Sequence, residues 1–316
     1  VIGVWQKDSG RDYLPLENLG EVESKGWELN LAWRDQIGEV KYGLFFNLSD
    51  AKNKIIDLGS SAPIIGDEIR RVGDPIDAYY GYKTEGLAQV DDFGGKDSFG
   101  NYINPKFPVI KDGVAVQPGD IKYKDVNGDG VINDGDKVAI GATTKPNLIY
   151  GFGISAQWKG FDFNVHFQGA GKSSFFINGS TVFAFKDSQW GNVLGNLVAN
   201  RWVDADTAAK LGIPANEDPN ASYPRLSYGG NDNNQQKSTF WLKNGSYLRL
   251  KTLEVGYTLP KSIVNKIKFN NIRVFFIGTN LLTFAKFKEW DPELGSSTGA
   301  EYPLSRVMTL GLTVNI

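Results

Sequence analysis

Apolar and polar residues alternate at every second position along several stretches of this 316-residue chain. That is the spacing of a strand with one apolar and one wet face. Trp27, Leu29, Leu31 and Trp33 share one face, and Glu28, Asn30, Ala32 and Arg34 share the other. After the turn Asp35-Gln36-Ile37-Gly38, Val40, Tyr42, Leu44, Phe46 and Leu48 alternate with Lys41, Gly43, Phe45, Asn47 and Ser49, which predicts a hairpin. A second hairpin pairs Tyr150, Phe152, Ile154, Ala156 and Trp158 with Phe161, Phe163, Val165 and Phe167 across the two-residue turn Lys159-Gly160. The opposite face of its second strand, with Asp162, Asn164, His166 and Gln168, is polar enough to require water. A third hairpin runs from about Tyr247 to Leu259, past Pro260, and back along Ile272 to Leu282. Met308, Leu310, Leu312, Val314 and Ile316 form a terminal strand.

A soluble β-sandwich also alternates, but three features favour a membrane barrel. Aromatic residues stand near strand ends, at Trp27, Trp33, Trp158 and Phe161, where a membrane girdle places them. Connections alternate between short ones of roughly two to twelve residues and long ones of roughly 100, 80 and 25. If Ile316 ends in the periplasm, every short turn falls on that side and every long loop outside. The fold class predicted is all-β, the C-terminal portion of a transmembrane antiparallel β-barrel with long extracellular loops. Residues 1–316 are read as barrel, with 49–149 as an extracellular loop region. Within the loops, Tyr79 to Gly86 predicts a local strand, and Asn192 to Val203, with Leu194, Leu197, Val198 and Trp202, a short helix.

Composition narrows the function. With 34 basic and 36 acidic side chains the net charge is -2, which gives no field to draw in nucleic acid. Thirty-seven glycines and 13 % aromatics suit a β-rich chain with many turns. The absence of cysteine removes disulfides, zinc-thiolate sites and thiol nucleophiles. No apolar run approaches the roughly 18 residues of a spanning helix, which leaves barrel strands untouched as a possibility. The chain begins at Val1 without a leader and is read as a fragment, any targeting segment lying outside it.

One motif carries chemistry. Asp125-Val-Asn-Gly-Asp-Gly-Val-Ile-Asn-Asp-Gly-Asp136 fits an EF-hand-type calcium loop. Asp125, Asn127 and Asp129 supply oxygen donors at the first, third and fifth positions, and Gly130 supplies the bend at the sixth. Val131 offers its backbone carbonyl, Ile132 anchors the loop by packing, Asn133 acts directly or through water, and Asp136 closes the shell. Asp in place of the usual final Glu, and flanks that do not read as long helices, point to a structural Ca2+ site rather than a sensor. A metal-free Asp/Asn/Gly turn is the competing reading. No catalytic constellation emerges: His166 lies on an alternating strand, and the pairs Asp91/Asp92, Asp204/Asp206 and Glu289/Asp291 read as solvated loop charges. The chain is read as a non-enzyme.

Several of these stretches also carry a family resemblance. Gly119-Asp-Ile-Lys-Tyr-Lys-Asp-Val-Asn-Gly-Asp-Gly130, with Asp136 and Ile140-Gly141, resembles a loop motif of SusC-type transporters. Asn200-Arg-Trp202, Tyr223-Pro-Arg225, Gly245-Ser-Tyr-Leu-Arg-Leu-Lys251, Gly256-Tyr-Thr-Leu-Pro260, Thr279-Asn-Leu-Leu282 and Asp291-Pro-Glu293 follow in the family's order. Upstream, Asn18-Leu-Gly20, Lys25-Gly26 and Glu28 resemble its strand-entry pattern. The chain thus resembles the SusC/RagA branch of TonB-linked outer-membrane transporters over nearly its whole length. That resemblance implies a barrel of about 22 strands filled by an N-terminal plug. The chain would supply about eight of them, counting an uncertain one at Val1 to Gln6.

The resemblance also implies a Gram-negative outer membrane, and active import of oligosaccharides or peptides driven through the TonB complex. TonB would act by way of N-terminal residues that, like the plug, are absent here. The partners implied are a SusD-like surface lipoprotein, the transported oligosaccharide or peptide, and outer-membrane lipid. Family members usually end on an aromatic residue, so the stop at Ile316 suggests one or two residues beyond it. The alternative is a secreted, calcium-stabilised β-rich binding module or adhesin; a calcium-dependent glycoside hydrolase lacks the convergent carboxylates it needs.

Overall fold

A computed structural model describes residues 20–59, 63–66, 68–180, 182–185 and 193–316. The strand expected at Val1 to Gln6, the first residues of the Asn18-Leu-Gly20 pattern, and Asn192 lie outside the described residues. Seven long strands, Glu21–Ile37, Val40–Asp57, Leu148–Trp158, Phe161–Gly171, Tyr247–Thr258, Asn271–Ala285 and Val307–Asn315, make one sheet in chain order. Every neighbouring pair is antiparallel. The expected hairpins and terminal strand are all present, with the short connections at one end of the sheet and the long ones at the other. The first hairpin is longer than its alternation suggests. Its ladder continues through the polar pairs Lys25 with Lys52 and Ser24 with Asn53, and its turn is Gly38-Glu39 rather than residues 35–38.

Register turns the alternation into a surface. Trp33 lies opposite Leu44, Leu44 opposite Ile154, Ile154 opposite Val165, and Val165 opposite Leu253. A parallel row runs through Ala156, Phe163, Val255, Phe276 and Leu310. These side chains share one face, and no described residue covers them all: Trp33 is 60 % exposed and Leu310 80 %. The other face is polar, and there Arg273 reaches across two strands, donating to Asp162 Oδ1 at 3.0 Å and Glu254 Oε1 at 2.6 Å.

Two parts of the predicted fold class are corrected. The sheet is open: Glu21–Ile37 pairs only with Val40–Asp57 and Val307–Asn315 only with Asn271–Ala285, so no described sheet closes into a barrel. Alternation fixes which face is apolar, but closure depends on a first-to-last strand pairing that alternation does not encode. The chain is also not all-β. It contains the helices Gly195–Asn200, Ala205–Leu211 and Lys261–Val264 together with several small open sheets. Ala205–Leu211 is helical for local reasons: Asp204 caps its start by accepting from Thr207 N at 2.8 Å, and Gly212 ends it at φ 64°. The helix expected from Asn192 to Val203 is the shorter Gly195–Asn200, and the expected strand Tyr79 to Gly86 divides into Ala78–Gly81 and Thr84–Leu87.

The protein core sits in the long connections, which pack together as a cap at one end of the sheet. Tyr82, Leu87, Ile121, Ile132, Phe175, Trp202, Tyr223, Trp241 and Phe287 belong to one buried cluster drawn from all three. The cap is tied to the sheet by Arg249, whose side chain is 2 % exposed. Its Nη2 donates to both carboxylate oxygens of Asp291, at 2.6 and 2.8 Å, and its Nε stands 3.2 Å from Glu293 Oε2 as an ion pair. Asp291 also accepts from Glu293 N at 3.0 Å. Arg249→Met leaves a partly buried carboxylate without its cation and is expected to cost about 3 kcal/mol. A fall in thermal midpoint, with the strand signal in circular dichroism retained, checks this; an unchanged midpoint would remove the tie.

Candidate functional site

The oxygen-rich loop begins and ends on the same stretch of chain. Before it, Ile121–Tyr123 pairs with Thr84–Leu87, and Lys124 N donates to Lys83 O at 2.9 Å. After it, Val138–Ala139 pairs with Ala78–Gly81, and Ile140 N donates to Tyr79 O at 2.8 Å. Both ends therefore straddle residues 78–87. Ile132, the expected apolar anchor, is fully buried, and its backbone joins Val109 and Lys111 through bonds of 2.9 and 3.0 Å.

Inside the loop the predicted donors are wound toward its own backbone. Asp125 accepts from Gly128 N at 2.6 Å and Gly130 N at 2.7 Å. Asp136, with no exposed surface, accepts from Val126 N at 2.8 Å, Asn127 N at 3.3 Å and Asn133 N at 2.9 Å. Asn127 Oδ1 takes Asp129 N and Asn133 Oδ1 takes Gly135 N. Val131, expected to offer its carbonyl, donates its N–H to Asp129 Oδ1 at 2.9 Å. Gly130 holds φ +83°, the left-handed conformation its sixth position requires.

The donor set fits a hard cation in chemistry and only partly in posture. Four carboxylates crowd one short loop, and among the described residues three of them, Asp125, Asp129 and Asp136, have no cationic side chain in ion-pair contact. Lys137 is taken by Asp134 at 2.7 Å. A buried carboxylate served only by neutral N–H groups is electrostatically undercompensated. In posture, Asp129 Oδ2 receives the amide nitrogens of Asn127 and Asn133, at 3.0 and 3.1 Å. Those amides must turn their oxygens inward to coordinate a metal. Consistent with that posture, no three His, Asp or Glu groups among the described residues surround one metal position. Hydrogen bonds from Val131 N and the Asn127 and Asn133 amides hold the Asp129 carboxyl below its usual range.

A second polar centre lies beside the loop and was not singled out from sequence as a site. Asp120, 1 % exposed, stands 2.8 Å from Arg225 Nε and accepts from Arg225 Nη2 at 3.0 Å and Gln117 N at 2.8 Å. It also accepts from Asn231 Nδ2 at 3.0 Å and Asn234 Nδ2 at 2.8 Å. Its only sequence signal was that Gly119-Asp120 and Tyr223-Pro-Arg225 both stood out as motifs; the Asn-rich run 231–234 looks like an ordinary turn.

The remaining candidates do not converge. His166 packs against the Phe45 ring on the sheet. The acidic pairs are more structural than solvated: Asp92 pairs with Lys122 at 2.9 Å, Asp204 caps a helix, and Asp291 binds Arg249. Glu289 accepts from the Tyr223 hydroxyl at 3.4 Å, and burial together with that carboxylate pushes the phenol up to about 12.

No family model matches the chain. It is 28 % identical over 326 residues to TonB-dependent receptor P26 and 26 % identical over 328 residues to TonB-dependent receptor P3, both of Formosa agariphila. It is 22 % identical over 319 residues to TonB-dependent receptor SusC of Bacteroides thetaiotaomicron. The solved structure of the RagAB peptide transporter superposes with a TM-score of 0.66 at 21 % identity, over 95 % of this chain. At low identity, the chain is homologous to SusC/RagA-type TonB-dependent transporters. It spans about 30 % of the length of the curated relatives it matches, and 30 % of the RagAB chain. These relatives are receptors and transporters, not enzymes.

Within the loop, Asp136→Ala removes a fully buried acceptor and strands three part-buried backbone N–H groups. It is expected to destabilise the cap by about 2 kcal/mol, whereas Asp134→Ala, at an exposed pair, is expected to cost under about 0.5 kcal/mol. Thermal unfolding of the two variants in chelator checks the difference; equal midpoints would contradict it.

Proposed function

We propose that the chain is part of an outer-membrane importer that takes up oligosaccharides or peptides by TonB-dependent transport together with a SusD-like surface lipoprotein. The observation that carries this reading is the match to TonB-dependent receptors over 95 % of the chain, with a TM-score of 0.66 to a peptide transporter. The geometry supports it in two ways. The uncovered apolar face, with Trp33 and Leu310 exposed, suits contact with lipid. The cap gathers the long connections at one end, where an extracellular position would present them to substrate and lipoprotein. TonB would act through residues outside this chain. No observation favours a secreted binding module.

Uptake by the intact receptor in its own host tests the proposal. Labelled oligosaccharide or peptide is expected to enter cells only when receptor, lipoprotein and TonB are all present, and the receptor to fractionate with outer membrane. Unaltered uptake of both substrate classes after deletion of the receptor gene, or recovery of the protein from the medium without detergent, would overturn it.

For residues 125–136 we propose a structural calcium site, with Asp125, Asn127, Asp129 and Asp136 as side-chain ligands, the Val131 carbonyl as a backbone ligand, and Asn133 direct or through water. Bound Ca2+ would supply the positive charge the three carboxylates lack. Calcium at about 100 times its dissociation constant is expected to stabilise the intact receptor by about 2.7 kcal/mol. The gain should vanish in Asp125→Ala/Asp129→Ala; calcium titration with no heat and no shift of the melting point would reject the site.

A further inference from the structure

We propose that a cleft in the cap walled by Arg201 and Trp202 binds a peptide substrate, with the Arg201 guanidinium receiving a peptide carboxylate. This rests on the reading of the chain as part of an importer and names the substrate class. The cleft is open and about 460 Å3 in volume. Lys96 and Tyr102 enter its lining from the paired strands Phe93–Lys96 and Tyr102–Pro105, and Asp206 and Lys210 from the helix Ala205–Leu211.

Two buried donors on adjacent residues of this lining lack an acceptor suited to them. Arg201 is 8 % exposed, and among the described residues its side chain makes one hydrogen bond, from Nη1 to Val198 O in the helix Gly195–Asn200. No described carboxylate pairs with it, whereas Arg225 holds Asp120 and Arg249 holds Asp291. Trp202 is 2 % exposed, and its indole Nε1 has no partner among the described residues. A buried guanidinium without a counter-ion is costly, and a carboxylate recovers that cost through charge-assisted, forked bonds. Both residues are already held in place. Asn216 Nδ2 donates to Arg201 O at 2.9 Å and Trp202 N to Tyr223 O at 2.9 Å, and a Cβ on Gly119 would collide with the indole. The donors are therefore preorganised.

Charge and ring exposure select the ligand. Lys96, Arg201, Lys210 and Arg225 line the cleft against Asp204 and Asp206. Arg225 is spent on Asp120, and Asp204 on capping the helix through Thr207 N. That leaves three cations and one exposed carboxylate, Asp206, which has no ion pair among the described residues and can take a peptide N–H or ammonium. A sugar ring needs a bare aromatic face to stack on. Here Trp202 is buried, and Lys96 Nζ stands 4.4 Å from the centroid of the Tyr102 ring. A pyranose finds no platform, while a peptide finds partners for both its carboxylates and its N–H groups.

Fluorescence anisotropy on the intact receptor in detergent tests this with three labelled probes. They are a glutamate-rich octapeptide with a free C-terminus, the same peptide with glutamine for glutamate and an amidated end, and an oligogalacturonate of similar charge. The acidic peptide is expected to bind at least about tenfold more tightly than its neutral analogue. In Arg201→Gln that preference is expected to fall to within about twofold. Lys96→Gln/Lys210→Gln, at exposed positions, is expected to reduce it about threefold with the melting point unchanged, which keeps the test open if Arg201→Gln does not fold. No preference in the wild type, the full preference kept in either variant, or tighter binding of the oligogalacturonate than of the acidic peptide would overturn the site. Receptor-dependent uptake in cells would then leave the importer reading standing. Failure of that reading gives the opposite pair of results: uptake unaltered without the receptor gene, with acidic peptide still bound through Arg201.

Discussion

Seven antiparallel strands hydrogen-bonded in chain order oblige every second connection to leave from the same end of the sheet. The rest of the molecule follows from that constraint. Three long connections emerge side by side, and their apolar residues find each other before they find the sheet, so the buried cluster is assembled from the cap. The sheet keeps its own apolar face for something other than this chain's described residues. Arg249 links the two regions because it stands on a strand at the point where the cap begins.

What was legible in the sequence was what period two encodes. Trp27 to Trp33, Tyr150 to Trp158 and Met308 to Val314 fall on strands because a pleated backbone places every second side chain on one face. The polar extension of the first hairpin through Lys52 and Lys54 was missed, since a ladder needs no apolar side chains once its register is set. Closure was misread for a related reason: edges are a property of pairing, and the strands at both edges alternate as the inner ones do. The cap was largely illegible because its order comes from contacts across long sequence distances. Asp120 and Asn234 are 114 residues apart, and neither has a local pattern that announces the other.

The oxygen-rich loop was legible in its spacing, down to the buried anchor Ile132 and the left-handed Gly130. What spacing did not reveal is that the loop's carboxylates spend their acceptor capacity on backbone N–H groups and on two amides. Nor did it reveal that both ends of the loop close on one stretch of chain, residues 78–87.

The distances spanned by the cap also bear on how the molecule comes together in time. Hairpins joined by Gly38-Glu39 or Lys159-Gly160 close tiny loops and belong to the early, fast class of events. Asp120 meets its asparagine partners only after more than a hundred intervening residues have been brought into line, at a loop-closure cost that grows with chain separation. The hairpins can therefore exist before the cap is ordered, whereas the full sheet must first join residues as distant as Lys41 and Gln157. An assembly pathway that handles the hairpins first, and leaves both their side-by-side pairing and the condensation of the connections for later, matches the way these contacts are spread along the chain.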